Sequence, residues 1–248
     1  MKKITEVTIE ELAALLKGKF DYVLELSILQ EPQFCIKPVH KFERAFIDSE
    51  NSENFYLIYS EADDPETIFV SYNSDSCGAD KMLQEYNARR IIFYNKNGDC
   101  ESYYYNPQAN TDSSRDSNIR ILTPDDKNLT EPGNNGGVDY LNIIFEDFIE
   151  KKIWHDCGIA GAFDKFNNFM GYLAYYELAE NICDISYIFV KQSFRGLGYA
   201  KELLNYFKNK NTRENKISYY SYAADKASAN LAKSCGFVPC AKRYEREI

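Results

Sequence analysis

The 248-residue sequence predicts a mixed α/β (α+β) protein in two halves, and three observations carry that reading. Short β-branched and aromatic runs alternate with stretches whose apolar residues recur at three- and four-residue steps, the periods of strand and helix. A polar, turn-rich segment, Asn106-Pro-Gln-Ala-Asn-Thr-Asp-Ser-Ser-Arg-Asp-Ser117, divides the chain. Charge changes at the same point: residues 1–117 hold 12 Lys/Arg against 21 Asp/Glu, whereas residues 118–248 hold 17 of each. The predicted organisation is an α/β domain at 1–106, a linker at 107–117 and a second domain at 118–248.

In the first half, Thr8-Ile-Glu-Glu11 is a capping box, and Leu12, Leu15 and Leu16 give one apolar face until Gly18 stops the helix. Phe20 to Leu29 is apolar and fits helix or strand. Phe55-Tyr-Leu-Ile-Tyr-Ser60 and Thr67-Ile-Phe-Val-Ser-Tyr72 are strands by composition, turning at Asp63-Asp-Pro-Glu66. A helix is expected over Ala79 to Arg90. Arg90-Ile-Ile-Phe-Tyr94 and Glu101-Ser-Tyr-Tyr-Tyr105 are expected to pair as a hairpin through Asn95-Lys-Asn-Gly-Asp99.

In the second half, Ile119-Arg-Ile-Leu-Thr123 is a short strand and Tyr140 to Trp154 an amphipathic helix. Gly158–Phe163 and Met170–Glu177 form a hairpin, turning at Asp164–Asn168. Ile185–Val190 is the next strand, Ile217–Tyr222 another. A helix from Asp225 ends at Gly236, and a last strand runs from Phe237 towards Arg246.

Between two of these elements lies the stretch around which the chemistry is organised. Arg195-Gly-Leu-Gly-Tyr-Ala200 follows the strand, and Ala200, Leu203, Leu204 and Phe207 then recur on one helical face. Glycines 196 and 198 permit a tight turn and close backbone approach. The unpaired N–H groups opening the helix make an anion site there, most naturally for phosphate. Lys201 stands where a dinucleotide fingerprint needs its third glycine, and no Walker P-loop occurs.

The pattern Arg195-x-x-Gly198-x-Ala200 resembles the R/Q-x-x-G-x-G/A signature of the GNAT N-acetyltransferase superfamily. Asp225-Lys-Ala-Ser228-Ala-Asn-Leu231-Ala-Lys-Ser-Cys-Gly236-Phe237 is similar to the family's second motif, at the expected interval. The resemblance covers residues 118–248. It implies a central twisted mixed sheet flanked by helices, with acetyl-CoA as cosubstrate and an amine as acceptor. Residues 1–117 are then either a degenerate GNAT-like copy or a family-specific substrate domain.

In the family, the strand before the turn splays from its neighbour and its backbone bonds the pantetheine arm. That role maps to Ile188, Phe189 and Val190. The phosphates map to the backbone of Arg195, Gly196, Leu197, Gly198, Tyr199 and Ala200, with Asp225 and Ser228 contributed by the second motif. Asp184 matches the position of the glutamate base in the histone-acetylating branch, and Glu177 is the second candidate. Many relatives carry a tyrosine acid where this chain has Ala232. Tyr222, Tyr220 or Ser228 are the substitutes at hand. The implied reaction is direct transfer to a primary amine of a small molecule or protein, in a ternary complex. The competing reading is a CoA-binding regulatory protein that no longer turns over.

Composition narrows the partners. A net charge of −9 argues against nucleic acid. It favours a cationic substrate or merely a soluble surface. No apolar run reaches the roughly 18 residues a membrane span needs, and the basic start Met1-Lys-Lys lacks an apolar stretch behind it, so a cytoplasmic protein is expected. Seven scattered cysteines without a C-x-x-C pair suggest neither a disulfide framework nor a metal site. A homodimer is compatible with the sequence.

Overall fold

The computed structural model describes residues 4–19, 22–35, 40–48, 54–72, 82–94, 100–106, 118–130, 140–223 and 226–247. The chain forms two compact units. The first is Met1–Gln33, Lys37–Ser102 and Pro239–Ile248; the second is Phe34–Ile36 and Tyr103–Val238. The linker expected at 107–117 lies outside the described residues.

The first unit opens with β1 (Ile4–Val7), α1 (Ile9–Leu16) and α2 (Val23–Phe34), followed by β2 (His40–Asp48), β3 (Phe55–Glu61), β4 (Ile68–Tyr72) and β5 (Arg90–Tyr94). The capping box forms as its residue types require: Glu11 N–H donates to Thr8 Oγ1 and Thr8 N–H to the Glu11 carboxylate. Of the ambiguous Phe20–Leu29 run, residues from Val23 onward become part of α2, and Phe20 and Asp21 lie outside the described residues. Strands β1 to β4 pair antiparallel in sequence order, and β4 pairs in parallel with β5. Phe46, Tyr56, Ile58, Val70, Tyr72 and Met82 pack one buried cluster there. The hairpin expected between 90–94 and 101–105 does not form. β5 instead pairs antiparallel with the last strand of the chain, β12 (Val238–Glu247), Arg243 opposite Tyr94 through Glu247 opposite Arg90. Alternation alone cannot distinguish a neighbour five residues away from one 150 away.

The second unit contains β6 (Cys100–Tyr105, from Tyr103), β7 (Ile119–Ile121), α3 (Leu141–Phe145), β8 (Cys157–Phe163), β9 (Phe169–Ala179), β10 (Ile182–Val190), α4 (Tyr199–Arg213), β11 (Ile217–Ala223) and α5 (Lys226–Ser234). Its strand order is β6-β11-β10-β9-β8-β7. Strands β7 to β10 pair antiparallel in succession, and β10 runs parallel to β11. This is the pairing scheme of β1 to β5 over again, so the two halves repeat one architecture. The long helix expected over Tyr140–Trp154 is shorter than its apolar pattern. α3 passes into a π-helical turn at Glu146–Glu150, and Trp154 bridges to Cys35.

Both faces of this sheet are covered. On one, Leu203, Leu204 and Phe207 of α4 and Ala232 of α5 pack on Leu173, Tyr175, Ile185 and Val190. On the other, Leu141, Phe145, Phe148 and Ile149 pack on Ile159, Tyr172 and Ala174. α5 closes as the sequence predicts: Gly236 sits at φ +82°, with Gly236 N–H on Lys233 O and Phe237 N–H on Ala232 O, both 3.1 Å.

Candidate active site

The site is built on β10, which changes partners along its length. It pairs with β9 throughout, but its parallel register with β11 runs only through Ile182–Asp184 opposite Ile217–Tyr219. The two strands then part, and the backbone of β10 from Ile185 onward faces a fork. A one-residue slip against β9 falls between Ile185 and Tyr187, making Ser186 the bulged residue. Bulge and fork together split the strand's side chains cleanly. Ile185, Ile188 and Val190 join the α4 side. Tyr187 and Phe189 join the α3 side, and Asp184, opposite Tyr176, precedes them on that face.

At the open end of the fork stand the glycine turn and the start of α4. Gly196 has φ +78° and Gly198, the helix N-cap, φ +96°. A Cβ at either would meet nothing within 4 Å. The backbone conformation, not crowding, is therefore what selects glycine in the protein alone. The first backbone bond of α4 is Glu202 N–H to Gly198 O at 3.0 Å. The N–H groups before Glu202 have no partner within the helix and carry the positive end of its dipole.

A cleft of about 540 Å³ lies between these elements. Of the residues singled out by sequence, Ile188, Phe189, Val190, Arg195, Gly196, Gly198, Tyr199, Ala200 and Ser228 line it. Leu197 is 65% exposed and stands outside the lining. Asp225 lies outside the described residues, and Tyr222 is placed only by its position on β11. Sequence reasoning missed Phe194, Lys201, Ala227 and Leu231. Leu231 lies three residues from Ser228 on α5, so helical periodicity through the second motif would have found it.

Arg195 has a second engagement. Its Nε donates to Val190 O at 3.0 Å, and its guanidinium carbon lies 5.7 Å from the Phe189 ring centroid. The side chain thus caps the end of β10 as well as lining the cleft.

The carboxylates lie elsewhere. Asp184 is 2% exposed. Glu177 accepts from Asn181 N–H at 3.2 Å and pairs with Lys216 at 3.3 Å; Lys216 also pairs with Asp156. Neither Asp184 nor Glu177 lines the cleft. Burial opposes the charge of Lys216, but the hydrogen bond and field of Asp156 outweigh it and hold the ammonium above its usual range. This cluster ties the closed end of the fork, because Ile217 N–H also bonds Asn181 O at 2.9 Å.

Ala232 is fully buried in the core under α5, and Tyr220 is 5% exposed in the same cluster. The methyl at Ala232 fills its site by packing and supplies no proton donor. Burial pushes the Cys183 thiol up to about 12 and raises that of Cys235. At neutral pH both are thiols in a core, unsuited as nucleophiles. Burial likewise raises the Tyr172 phenol, with the neighbouring Tyr187 adding to the shift. Among the described residues no three His, Cys, Asp or Glu side chains gather as a metal set, and no helix is long and apolar enough to cross a membrane.

Fork, open helix start and cleft can accommodate an elongated, anionic molecule. Residues 130–237, in the C-terminal half of the chain, match the acetyltransferase (GNAT) family. No curated protein matches the sequence. Among solved structures, a GNAT-family acetyltransferase from Colwellia psychrerythraea is 14% identical, with TM-score 0.56 over 99% of each chain. A Drosophila malonogaster protein is 12% identical, with TM-score 0.56 over 100% of this chain and 99% of that one. A tandem GNAT protein from the clavulanic acid biosynthesis pathway, solved without AcCoA, is 8% identical, with TM-score 0.50 over 100% and 98%. At these identities the likeness is one of fold. It extends over the whole chain, in keeping with the repeated strand pairing of the first unit.

Proposed function

We propose that the protein is an acetyl-CoA-dependent N-acetyltransferase that acts on a primary amine by direct attack in a ternary complex. The observation that carries this reading is the fork between β10 and β11 opening onto the unpaired start of α4, within one cleft. Backbone N–H groups from Gly196 to Lys201 suit a pyrophosphate, and the released edge of β10 at Ile188–Val190 suits an amide-bearing arm. GNAT proteins use acetyl-CoA, and those features fit it. Among the described residues the first unit shows no matching fork: β4 stays paired with β5 up to Tyr72 opposite Phe93. One cosubstrate per chain is the consequence.

The amine arrives protonated at neutral pH and must lose a proton before attack. Asp184 is the better base. It shares a face with Tyr187 and Phe189, about 13 Å of strand before Ile188, so the proton has to travel to it along a chain of waters. Glu177 is engaged by Lys216 and Asn181. An N–H of β10 near Ile188 stabilises the oxyanion. Coenzyme A leaves as a thiolate with pKa near ~8.5, so the missing acid at Ala232 is tolerable; Tyr222, beyond the fork on β11, is the remaining donor in this scheme.

The alternative, a CoA-binding protein without turnover, is favoured by Ala232 alone. Thiol release with an amine panel separates the two. Asp184→Asn tests the base: turnover should fall by about 10²–10⁴-fold with acetyl-CoA affinity within two-fold of wild type. Lost affinity with turnover at saturation intact would remove Asp184 from the mechanism.

A further inference from the structure

The backbone groups that β10 turns into the fork are fixed by its register with β9. Lys191 N–H donates to Met170 O at 2.9 Å, Val190 stands opposite Gly171 and Ile188 opposite Leu173. Antiparallel pairs alternate between those that exchange hydrogen bonds and those that do not. The backbone polar groups of Phe189 and Lys191 therefore face β9. Those of Ile188 and Val190 point the other way, where β11 has left. A buried strand carbonyl without its neighbouring strand has to find another donor. Val190 is 8% exposed, and its carbonyl accepts from Arg195 Nε at 3.0 Å.

The path to that bond is short. Lys191 opens a single helical turn, Gln192–Phe194, with Phe194 N–H on Lys191 O at 2.9 Å and Arg195 N–H on Gln192 O at 3.3 Å. The turn brings Arg195 back over the strand end, its guanidinium carbon 5.7 Å from the Phe189 ring centroid, and Gly196 follows directly. One side chain thus fastens the released edge of β10 to the start of the glycine turn. Arg195 is itself exposed, so its charge acts through solvent and salt, which screen it. Its Nε is the atom that the fold has fixed. The edge left for a ligand comprises the N–H groups of Ile188 and Val190 and the carbonyl of Ile188.

We propose that Arg195 is a positioning residue: through its Nε bond to Val190 O it holds the edge that receives the pantetheine arm in step with the turn that receives the phosphates. This rests on the acetyltransferase reading and gives the side chain a role apart from its charge. Glutamine carries an amide nitrogen as many bonds from the backbone as arginine carries Nε, without the charge, whereas lysine keeps the charge and has a methylene there. Acetyl-CoA and S-acetylpantetheine, which has the arm and no phosphate, are each titrated into the full-length protein and into Arg195→Met, Arg195→Lys and Arg195→Gln, with binding followed by saturation-transfer NMR. Val190-Lys191 is the one Val-Lys step in the chain, so isotopic labelling of valine carbonyl carbons and lysine amide nitrogens isolates the peptide that reports this hydrogen bond. The expected result is that both ligands bind about ten-fold more weakly to Arg195→Met and Arg195→Lys, with the Val190 carbonyl signal displaced in each. Arg195→Gln should keep the signal and stay within about two-fold of wild type. S-acetylpantetheine bound equally by all four proteins, or acetyl-CoA bound by Arg195→Lys as by wild type, means that Arg195 serves the phosphates by charge and overturns the proposal alone. Equal loss in all three variants overturns it as well, because a general loosening of the turn then suffices. If neither thioester binds the wild-type protein, the cosubstrate reading falls and this proposal falls with it.

Discussion

Replacing Gly198 with alanine separates the two reasons for a glycine at the start of α4. The residue sits at φ +96°, ψ −8°, where an L-residue costs about 1–2 kcal/mol. A methyl would meet nothing within 4 Å, so no clash adds to that cost. At about 2–4 °C per kcal/mol for a chain of this size, Tm should fall by about 2–8 °C. Affinity should suffer more. A phosphate held at about 2.9 Å from the helix N–H groups would meet the new methyl, and loss of one charge-assisted hydrogen bond is worth about 1.5–3 kcal/mol, or about 10–100-fold in Kd. Calorimetric titration with acetyl-CoA, alongside thermal unfolding, reads both. Gly236→Ala is the control, since it bears a similar φ, +82°, at the far end of α5. It should lower Tm and leave Kd alone. If Gly198→Ala behaves like its control, the turn is merely structural and the phosphate assignment is wrong.

The same titration should saturate at one acetyl-CoA per chain, because among the described residues only β10 parts from its parallel neighbour; two equivalents would mean that the first unit also binds. Gly171→Ala should destabilise the second unit severely, by more than about 2 kcal/mol, since its Cβ would lie 2.3 Å from Phe189 O and 2.9 Å from Val190 Cα; an unchanged denaturant midpoint would refute that packing. Lys216 has a folded-state pKa above its unfolded value, so its contribution is complete below about pH 10.4 and fades as pH rises towards the folded value. Lys216→Met should therefore lower stability at neutral pH and flatten the loss seen on the alkaline side, as measured by urea unfolding across pH.

Where the fold was legible, local chemistry was the reason. Thr8 and Glu11, Gly236 and Phe237, and the Asp164–Asn168 turn each encode their own backbone. In the last, the Asp164 carboxylate accepts from Phe166 and Asn168 N–H at 2.8 Å. The glycine turn was legible because glycines 196 and 198 are required by φ. What the sequence hid was long-range. The bulge at Ser186 depends on the register with β9, and the partner of β5 lies at the other end of the chain. Arg195 reads as a charge for phosphate, yet its bond to Val190 O emerges only when the turn folds back on the strand.

The return of β12 to the first unit bears on how the protein is made. β12 occupies the place beside β5, while Tyr103 and Tyr105, from the end of the first half of the sequence, lie in the core of the second unit. During synthesis the first unit is begun earliest and finished last. Until Arg243–Glu247 emerge, the backbone edge of β5 has no permanent neighbour. That interval covers translation of residues 95–242, about 7–30 s at typical rates of synthesis. Completion of the first unit thus waits on the second, and separate expression of the two sequence halves would deprive each unit of a strand.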